Sequence, residues 1–318
     1  MLMDVLTIGD GMITMDPKAR GPMRFVNEFQ RKVGGAELNF AIGASRLGLK
    51  TGWISRLGND EFGRVIHNFM RGEGVDMSQV EYVEGIPTSV YFKEIMEDGS
   101  GRSFYYRNPT PMSVLTPEDI KEEHIKNFKL IHLTGVFLAL NPTKHLEIVE
   151  RIIYYAKKHD VKISMDPNIR LRLWSKDKAR EVLTSLLPHV NVLLTGEEEG
   201  EILLGTTSVE EMIEQFRGYG IDHVVIKKGA DGASVTTAEG TLEMAAFTPR
   251  KVVDTVGAGD GFDAGYITGY LKDWSVERSL RFANKVGSMV VSVVGDNEGL
   301  PYYEDVLAEL GERETIER

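Results

Sequence analysis

Hydrophobic positions follow two patterns that alternate along most of the chain. Short apolar runs, each closed by glycine or aspartate, predict buried strands of a parallel sheet: DVLTIGD, LIHLTG, VKISMD, VNVLLTG and HVVIKKG. Between the last four runs, apolar residues three or four positions apart predict amphipathic helices in TKHLEIVERIIYYAKKHD, KDKAREVLTSLLPHV and SVEEMIEQFRGYG. This alternation predicts an α/β fold with a doubly wound, mostly parallel sheet and helices on both faces. In such folds, ligands bind beyond the carboxyl ends of the strands.

Two segments interrupt this alternation. MRFVNEFQRKVGG and TSVYFKEIMEDGSGRSFYYR have the character of exposed strands, and the second predicts a hairpin that turns at residues 98–100. We expect these insertions, at about residues 12–33 and 87–108, to form a small β-sheet lid. The sequence shows no internal repeat or linker between independent domains, so residues 1–318 are expected to form a single domain.

Charge and cysteine content exclude several classes of protein. The chain carries 37 basic and 48 acidic residues, a net charge of −11, which argues against nucleic-acid and membrane partners. It has no cysteine, so disulfides, thiolate zinc sites and cysteine nucleophiles are excluded. The opening MLMDVLTIGDGMITMDP lacks the basic start and long apolar core of a secretion signal. We therefore expect a cytoplasmic protein in which an anionic ligand needs a local cationic pocket.

A glycine-rich stretch, DTVGAGDGFDAGYITGYL, follows the strand-like run RKVVD and continues as a predicted helix. Such a turn points backbone N–H groups and a helix N-terminus at one spot, which favours an anion. Gly257 and Gly259 leave room for a phosphate to approach the backbone. Gly261, Gly265 and Gly269 recur every four residues and leave one helix face bare for close packing. The spacing matches neither GxGxxG nor GxxxxGK[ST], which argues against a Rossmann site and a P-loop.

Asp260 lies among these glycines in the first helical turn, where the helix dipole favours its ionised form. For phosphate binding alone a carboxylate here is unfavourable, because like charges repel. The pairing makes sense if Asp260 accepts the proton of an acceptor hydroxyl while the N–H groups stabilise a transferring phosphoryl group. We therefore predict Asp260, Gly257 and Gly259 as catalytic residues. A tight turn with an acidic residue at the helix start is the alternative interpretation.

The predicted hairpin and one strand end offer candidate ligand contacts. Tyr105 and Arg107 lie two residues apart and share a strand face, which an odd-length turn extends to Tyr91 on the partner strand. Asn168 and Arg170 follow the strand VKISMD at its carboxyl end. Because a guanidinium donates two parallel hydrogen bonds to a carboxylate, the two arginines would suit an acidic ligand. Ordinary surface roles for these side chains are the alternative.

These motifs carry a resemblance to a known family. DTVGAGDGFDAGYITGYL resembles the carboxyl-terminal signature of the ribokinase-like, PfkB-type carbohydrate kinases, and VGGAELNFAIGASRLG with GNDEFG resembles their amino-terminal signature. The match covers essentially the whole chain and implies a ribokinase-like fold with a lid and ATP and Mg²⁺ as cofactors. Because the exposed edges of a lid sheet commonly pair with a second copy, we also expect a homo-oligomer formed through the lid. GGAELN, FYYR, DPNIRLRLW and GDNEG are similar to the subgroup that acts on a keto-deoxy sugar acid, 2-keto-3-deoxygluconate.

The resemblance also assigns roles to individual residues. The substrate-binding residues that it implies are Gly34, Asn39, Tyr91, Tyr105, Arg107, Arg170, Asp260 and Asp296. The nucleotide-binding residues that it implies are Asn168, Lys227, Gly229, Ala230, Gly232, Gly257, Gly259 and Asn284. For the last group, ordinary turns between strand and helix are the alternative.

Three positions bear on the metal and the sugar. Glu199 matches the family's glutamate that orients magnesium through water, although Gly196 stands where the family carries asparagine. Thr14 stands where ribokinases carry a sugar-binding aspartate, which argues against ribose. A monovalent cation near Asp254 is left open by the sequence. The open alternatives for function are a kinase for 5-keto-2-deoxygluconate or fructose, and a sugar-binding regulator without activity.

Overall fold

The computed structural model describes residues 2–97 and 101–313, which form two β-sheets and the helices around them. The strands are β1 (Met3–Ile8), β2 (Met12–Pro17), β3 (Phe29–Gly34), β4 (Thr51–Gly58), β5 (Val80–Val83), β6 (Ser89–Ile95), β7 (Gly101–Tyr106), β8 (Phe128–Thr134), β9 (Lys162–Asp166), β10 (Val192–Gly196), β11 (His223–Lys227), β12 (Ala233–Thr237) and β13 (Gly240–Met244). The α-helices are α1 (Ala36–Arg46), α2 (Glu61–Gly72), α3 (Glu122–Ile125), α4 (Gly135–Leu140), α5 (Pro142–Lys158), α6 (Lys176–Leu186), α7 (Glu197–Leu204), α8 (Val209–Gly218), α9 (Ala258–Leu271), α10 (Val276–Val290) and α11 (Tyr303–Glu309).

Nine strands form the large sheet, in the order β13-β12-β11-β10-β9-β8-β1-β4-β5. The seven strands from β11 to β5 run parallel, whereas β12 and β13 add an antiparallel edge. The carboxyl ends of the parallel strands therefore meet along one edge, where a doubly wound fold binds ligands. The predicted α/β fold with a mostly parallel sheet is confirmed.

Helices cover both faces of the large sheet. Alternate residues of β10 point to opposite sides, so Leu193 lies in one hydrophobic core while Val192 and Leu194 lie in the other. The first core includes Phe137 and residues of α5, α6 and α8, and the second includes Phe40 and residues of α9 and α10. Within residues 2–97 and 101–313, no helix is both long and apolar enough to cross a bilayer.

The inserted segments form a separate four-stranded sheet, here called the small sheet, in the order β3-β2-β6-β7. Tyr91 of β6 pairs directly with Tyr105 of β7, so their side chains share a face as the hairpin register predicts. The predicted turn at residues 98–100 lies outside the described residues. The segment Met23–Phe25, expected to be part of a strand, forms one turn of 3₁₀ helix before β3.

The glycines of α9 face α10 at very short range. A Cβ atom on Gly265 would lie 2.9 Å from the Cα of Ala283, and one on Gly269 would lie 2.4 Å from the hydroxyl of Ser279. Gly261 meets Val290 in the same way, at 2.9 Å. The bare face predicted from the four-residue spacing is therefore what lets the two helix backbones come together.

The expected strand RKVVD does not form. Residues 250–254 belong to neither sheet, and the backbone N–H groups of Val253 and Asp254 donate to the carbonyl of Val291 instead. The valines are exposed, by 62% at Val252 and 41% at Val253. A run of β-branched residues therefore gives a strand only where a neighbouring strand offers a pairing edge, and here the chain crosses to α9 without one.

The close contact of α9 with α10 predicts the effect of a single methyl group. We expect Gly265→Ala to lower the free energy of unfolding by about 1–3 kcal/mol, because overpacking outweighs the gain in helix propensity. Gly287→Ala in α10 is the matched control: the nearest atom to its added Cβ is 3.6 Å away, so it should be neutral or stabilising. Urea denaturation of both variants measures the difference, and equal effects would contradict the packing argument.

Candidate active site

A cavity of about 770 Å³ lies between the carboxyl-end edge of the large sheet and the small sheet. The small sheet and the segment after it contribute Met12, Tyr91, Lys93, Ser103, Tyr105 and Arg107 to its wall. The large sheet, the loop after β9 and the first turns of α1 and α7 contribute Asn39, Asp166, Asn168, Arg170, Glu199 and Lys227. The cavity also reaches the start of α9, from Thr255 to Asp260, and Asp296. Most of the predicted site residues are thus brought to one place.

The turn before α9 depends on Gly257. This residue is the N-cap of α9 and has a φ of +78°, a conformation that favours glycine. A Cβ at this position would lie 2.1 Å from the carbonyl oxygen of Asp296, so no other residue fits without displacing that loop. The first turn of the 14-residue helix is thereby presented to the cavity, with Gly259 in its wall. The start of α9 therefore has the geometry of the predicted anion site, whose ligand stays a prediction.

Asp260 lies in that first turn and is half-buried. Burial raises its pKa to about 6, against the lowering effects of a hydrogen bond from Asn39 and the charges of Arg170 and Lys227. The Asn39 amide donates to Oδ2 of Asp260 at 2.8 Å and so fixes the carboxylate. The expectation that the helix dipole would favour ionisation is therefore outweighed by desolvation. A carboxylate with a pKa just below neutrality is well matched to proton acceptance.

The two tyrosines and Arg107 form one wall. The rings of Tyr91 and Tyr105 lie 5.1 Å apart, and the guanidinium of Arg107 stacks 4.9 Å from the Tyr105 ring. All three side chains line the cavity, as the odd-length hairpin turn predicts. The Arg107 charge also opposes the effect of burial on the nearby Asp10 carboxyl, whose pKa is raised to about 6.

Residues that follow β9 form the opposite wall. Arg170 is exposed and lines the cavity close enough to Asp260 to lower its pKa. Asn168 has a φ of +37° and is held by Asp166, which accepts hydrogen bonds from its backbone N–H at 3.1 Å and its side chain at 3.3 Å. The Oδ1 atom of Asn168 is buried and has no hydrogen-bond partner among the described residues, so it is available to a ligand.

The predicted nucleotide-binding residues divide into two groups. Lys227 lines the cavity, where its ammonium lies 3.2 Å from Asp166 and 3.1 Å from Asp263. Asn168, Gly257 and Gly259 line it as well. The remaining four residues are not part of the described wall of this cavity: Gly229, Ala230, Gly232 and Asn284. Asn284 donates to the carbonyl of Met244 at 3.3 Å, and the three other residues belong to the turn between β11 and β12. Their nucleotide contacts stay a prediction.

Glu199 lies in the first turn of α7 with both oxygens engaged by backbone N–H groups. Oε1 accepts from Ile169 at 2.9 Å, and Oε2 accepts from Gly196 at 2.9 Å. Burial, with a contribution from the Asp166 charge, raises its pKa. Among residues 2–97 and 101–313, no group of three or more histidine, aspartate or glutamate side chains is arranged to hold a metal ion directly.

Asp296 contacts a residue that the sequence analysis missed. Its carboxylate accepts a hydrogen bond from the Tyr91 hydroxyl at 2.5 Å and forms an ion pair with Lys93 at 2.6 Å. Gly34 allows this approach, because a Cβ there would lie 2.3 Å from the Asp296 carboxylate. Lys93 lies two residues after Tyr91 on the same strand, so both side chains point to the same face of the small sheet. The strand alternation used for the tyrosines therefore also identifies Lys93.

A helix start with the geometry of an anion site, a half-buried carboxylate beside it and a sheet over the cavity are the features expected of a phosphotransferase for small molecules. Comparison with known families agrees. Residues 3–302 match the model of the pfkB family of carbohydrate kinases, and the chain belongs to this family. The predicted family is therefore confirmed.

Individual relatives are similar over nearly their whole length. The chain is 34% identical to 2-dehydro-3-deoxygluconokinase of Thermoproteus tenax, over 94% of this chain and 92% of the relative. It is 30% identical to 5-dehydro-2-deoxygluconokinase of Bacillus subtilis, over 95% and 94% of the two chains. A sugar kinase of Pyrococcus horikoshii, solved in complex with ATP, superposes with a TM-score of 0.81 at 26% identity, covering 96% of this chain and 97% of that one.

The position of Asp260 predicts a specific loss of turnover. Asp260→Asn should keep the packing and the Asn39 contact region while removing the proton acceptor, so kcat should fall by about 10²- to 10⁴-fold. Binding of ATP and sugar, measured by calorimetry, should be nearly unchanged. A variant that keeps more than about half of the wild-type rate would contradict a general-base role, whose contribution is much larger.

The pH profile gives an independent check of the same assignment. Only the ionised carboxylate accepts a proton, and the pKa of Asp260 is raised to about 6. The value of kcat/KM should therefore be level above this pH and fall about tenfold per unit below it. A profile that stays flat well below pH 6 would show that Asp260 does not titrate in the productive step.

Proposed function

We propose that this enzyme transfers the γ-phosphoryl group of ATP to the terminal hydroxyl of 2-keto-3-deoxygluconate, also called 2-dehydro-3-deoxygluconate. The observation that carries the proposal is the pair of arginines, Arg107 and Arg170, in the wall of the cavity that contains Asp260. In a chain of net charge −11, two guanidinium groups at one cavity point to an anionic substrate as well as to phosphate. The similarity to a 2-dehydro-3-deoxygluconokinase supports the same substrate.

The residues around Asp260 account for the chemical step. Asp260 accepts the proton of the attacking hydroxyl, and Asn39 holds the carboxylate in place through its 2.8 Å hydrogen bond. The N–H groups after Gly257 face the transferring phosphoryl group and stabilise the charge on its oxygens. The small sheet covers the cavity with Tyr91 and Tyr105, which limits the access of water as a competing acceptor.

The donors present fit ATP with Mg²⁺. Mg²⁺ keeps several waters and is bound through substrate phosphates together with one or two protein oxygens. The free Oδ1 of Asn168 and the carboxylate of Glu199 are oxygen donors of that kind on the cavity wall. When bound, the ion would neutralise phosphate charge. The ATP complex of the Pyrococcus horikoshii kinase is consistent with the nucleotide.

We also propose that two copies associate through the small sheet. Its face opposite the cavity carries Phe92 packed against Phe29 and Tyr106, with ring centroids 5.2 and 5.8 Å apart. Tyr106 and Phe25 are 64% and 72% exposed, which is much apolar surface to leave in water. An edge strand such as β7 offers a further pairing site. Light scattering of the purified chain distinguishes a monomer from a dimer.

The second candidate substrate is 5-keto-2-deoxygluconate, favoured by the 30% identity to a 5-dehydro-2-deoxygluconokinase. Both compounds carry one carboxylate, so the arginines favour each of them over a neutral sugar such as fructose. Intact Gly257, Gly259 and Asp260 argue against a regulator without activity. An assay of ATP consumption over the three sugars ranks the candidates by kcat/KM.

Arg170 provides the decisive variant. Arg170→Met should lower kcat/KM for 2-keto-3-deoxygluconate. The loss of transition-state stabilisation calculated from that ratio should be about 1.5–3 kcal/mol, the range for hydrogen bonds to charged groups. An analogue reduced at its carboxyl group should lose much less, because it never makes the paired contact. Arg170→Lys should recover only part of the loss, since lysine restores charge without the planar fork.

Arg172→Met is the matched control for Arg170→Met. Arg172 also lines the cavity, but its guanidinium donates to the carbonyl of Ser103 at 3.3 Å. We expect this variant to affect the acid and the neutral analogue equally. Equal losses for the two analogues in Arg170→Met would assign Arg170 to the nucleotide or to the structure, and would remove the main support for an acid substrate.

A further inference from the structure

Lys93 occupies an unusual position for a lysine. It lies in the middle of β6, its side chain projects from the cavity side of the small sheet, and the residue is only 8% exposed. Its ammonium lies 2.6 Å from Asp296, 3.5 Å from Asp16 and 4.0 Å from Asp254. One buried cation therefore faces three carboxylates, two of them outside the small sheet.

Asp296 connects this cation to the anion-binding turn. One carboxylate oxygen is paired with Lys93 and the other accepts from Tyr91, so the small sheet holds both oxygens of the side chain. The main-chain carbonyl of the same residue lies against Gly257, where a Cβ would come within 2.1 Å of it. The position of Asp296 thus depends on β6 and in turn limits where the turn before α9 can lie.

Asp254 makes a second connection to the same turn. Its Oδ1 accepts from the backbone N–H of Val256, and its Oδ2 accepts from that of Gly295, at 3.1 and 3.2 Å. The residue therefore bridges the loop that carries Asp296 to the segment leading into α9. Lys93 is the cation common to Asp296 and Asp254, so its charge acts on both connections.

Removal of this charge would leave the carboxylates unbalanced. A buried carboxylate that loses its partner is strongly destabilised and moves or takes up a proton. Lys32 is the other ammonium of this cluster, but its ion pairs are with Asp16 and Glu298, at 3.3 and 3.5 Å. It makes no ion pair with Asp296 in the described part of the chain and does not line the cavity.

From this geometry we infer that Lys93 is a positioning residue for phosphoryl transfer, which acts through Asp296 to align the sugar site of the small sheet with the anion-binding turn before α9. The inference rests on the proposed function only in that the sugar and the phosphoryl group meet in this cavity. It does not depend on which sugar the enzyme prefers.

Lys93→Met tests the inference, because methionine keeps the length of the side chain and removes the charge. We expect the KM for the sugar to rise and kcat to fall, with a combined loss in kcat/KM of about tenfold or more. The dissociation constant of ATP, measured by calorimetry without sugar, should stay within about twofold, because the ion pairs of Lys93 link it to the turn indirectly, through Asp296 and Asp254. Kinetic constants unchanged per folded molecule, with only a lower Tm, would overturn the inference.

Lys32→Met is the comparison variant: it removes a lysine charge from the same cluster, together with a 2.9 Å hydrogen bond to the Val294 carbonyl, but no contact of the Asp296 carboxylate. We expect its kcat/KM to stay within about threefold of wild type even if its Tm falls. An equally large kinetic loss in this variant would overturn the inference, because general charge balance would then explain the result.

A double-mutant cycle with Asp296→Asn shows whether Lys93 acts through this residue. If it does, Lys93→Met/Asp296→Asn should lose no more than Asp296→Asn alone, because the second change removes an interaction that is already lost. Additive losses would mean that Lys93 contacts the substrate directly and would overturn the inference. The cycle is measured with whichever sugar the wild-type enzyme phosphorylates, so failure of wild type to use 2-keto-3-deoxygluconate refutes the proposed function and leaves this test intact.

Discussion

The contact between Gly257 and the carbonyl of Asp296 is the constraint on which the site depends. A left-handed φ and a distance of 2.1 Å from a virtual Cβ to that carbonyl allow only glycine there. The contact brings the start of α9 against the loop that carries Asp296, which the small sheet holds through Tyr91 and Lys93. The start of α9 and the loop held by the small sheet are therefore joined by close packing at the backbone, which tolerates little displacement.

The balance of charge around the cavity is the second constraint on the site, because several carboxylates are buried at or next to its wall. Asp166 and Asp263 share the ammonium of Lys227, and burial leaves the pKa of Asp263 well above its usual value while that of Asp166 is lowered. Asp260 lies one turn before Asp263 and keeps a pKa of about 6. Cations in the cavity wall therefore let an acidic chain keep the Asp260 carboxylate beside the predicted anion site.

The sequence predicts those parts of the site that local rules determine. Strand periodicity identified the two-sided sheet and, for an odd-length turn, put Tyr91 on the face of Tyr105, and glycine spacing identified the packed face of α9. Local rules do not predict pairing between distant segments. RKVVD has the composition of a strand but pairs with neither sheet. The position of Lys93 becomes informative only through its contact with Asp296, 203 residues away in the sequence. The burial that raises the pKa of Asp260 likewise depends on the closed fold rather than on its helix.

The same distinction bears on the choice between the two sugar acids. Arg107 and Arg170 can separate an acid from a neutral sugar, but two isomers with one carboxylate each present the arginines with the same charge. The isomers differ in the position of the keto group. A keto group is uncharged, so individual hydrogen bonds, and not charge, must recognise where it lies. Asp296 can still take part, because an ionised carboxylate has about four acceptor positions and Tyr91 and Lys93 occupy two. A sugar hydroxyl that donates to a remaining position would meet an oxygen already fixed by the small sheet. Recognition of charge by the arginines therefore does not separate the isomers, and a difference in kcat/KM between them has to come from directed contacts such as those open to Asp296.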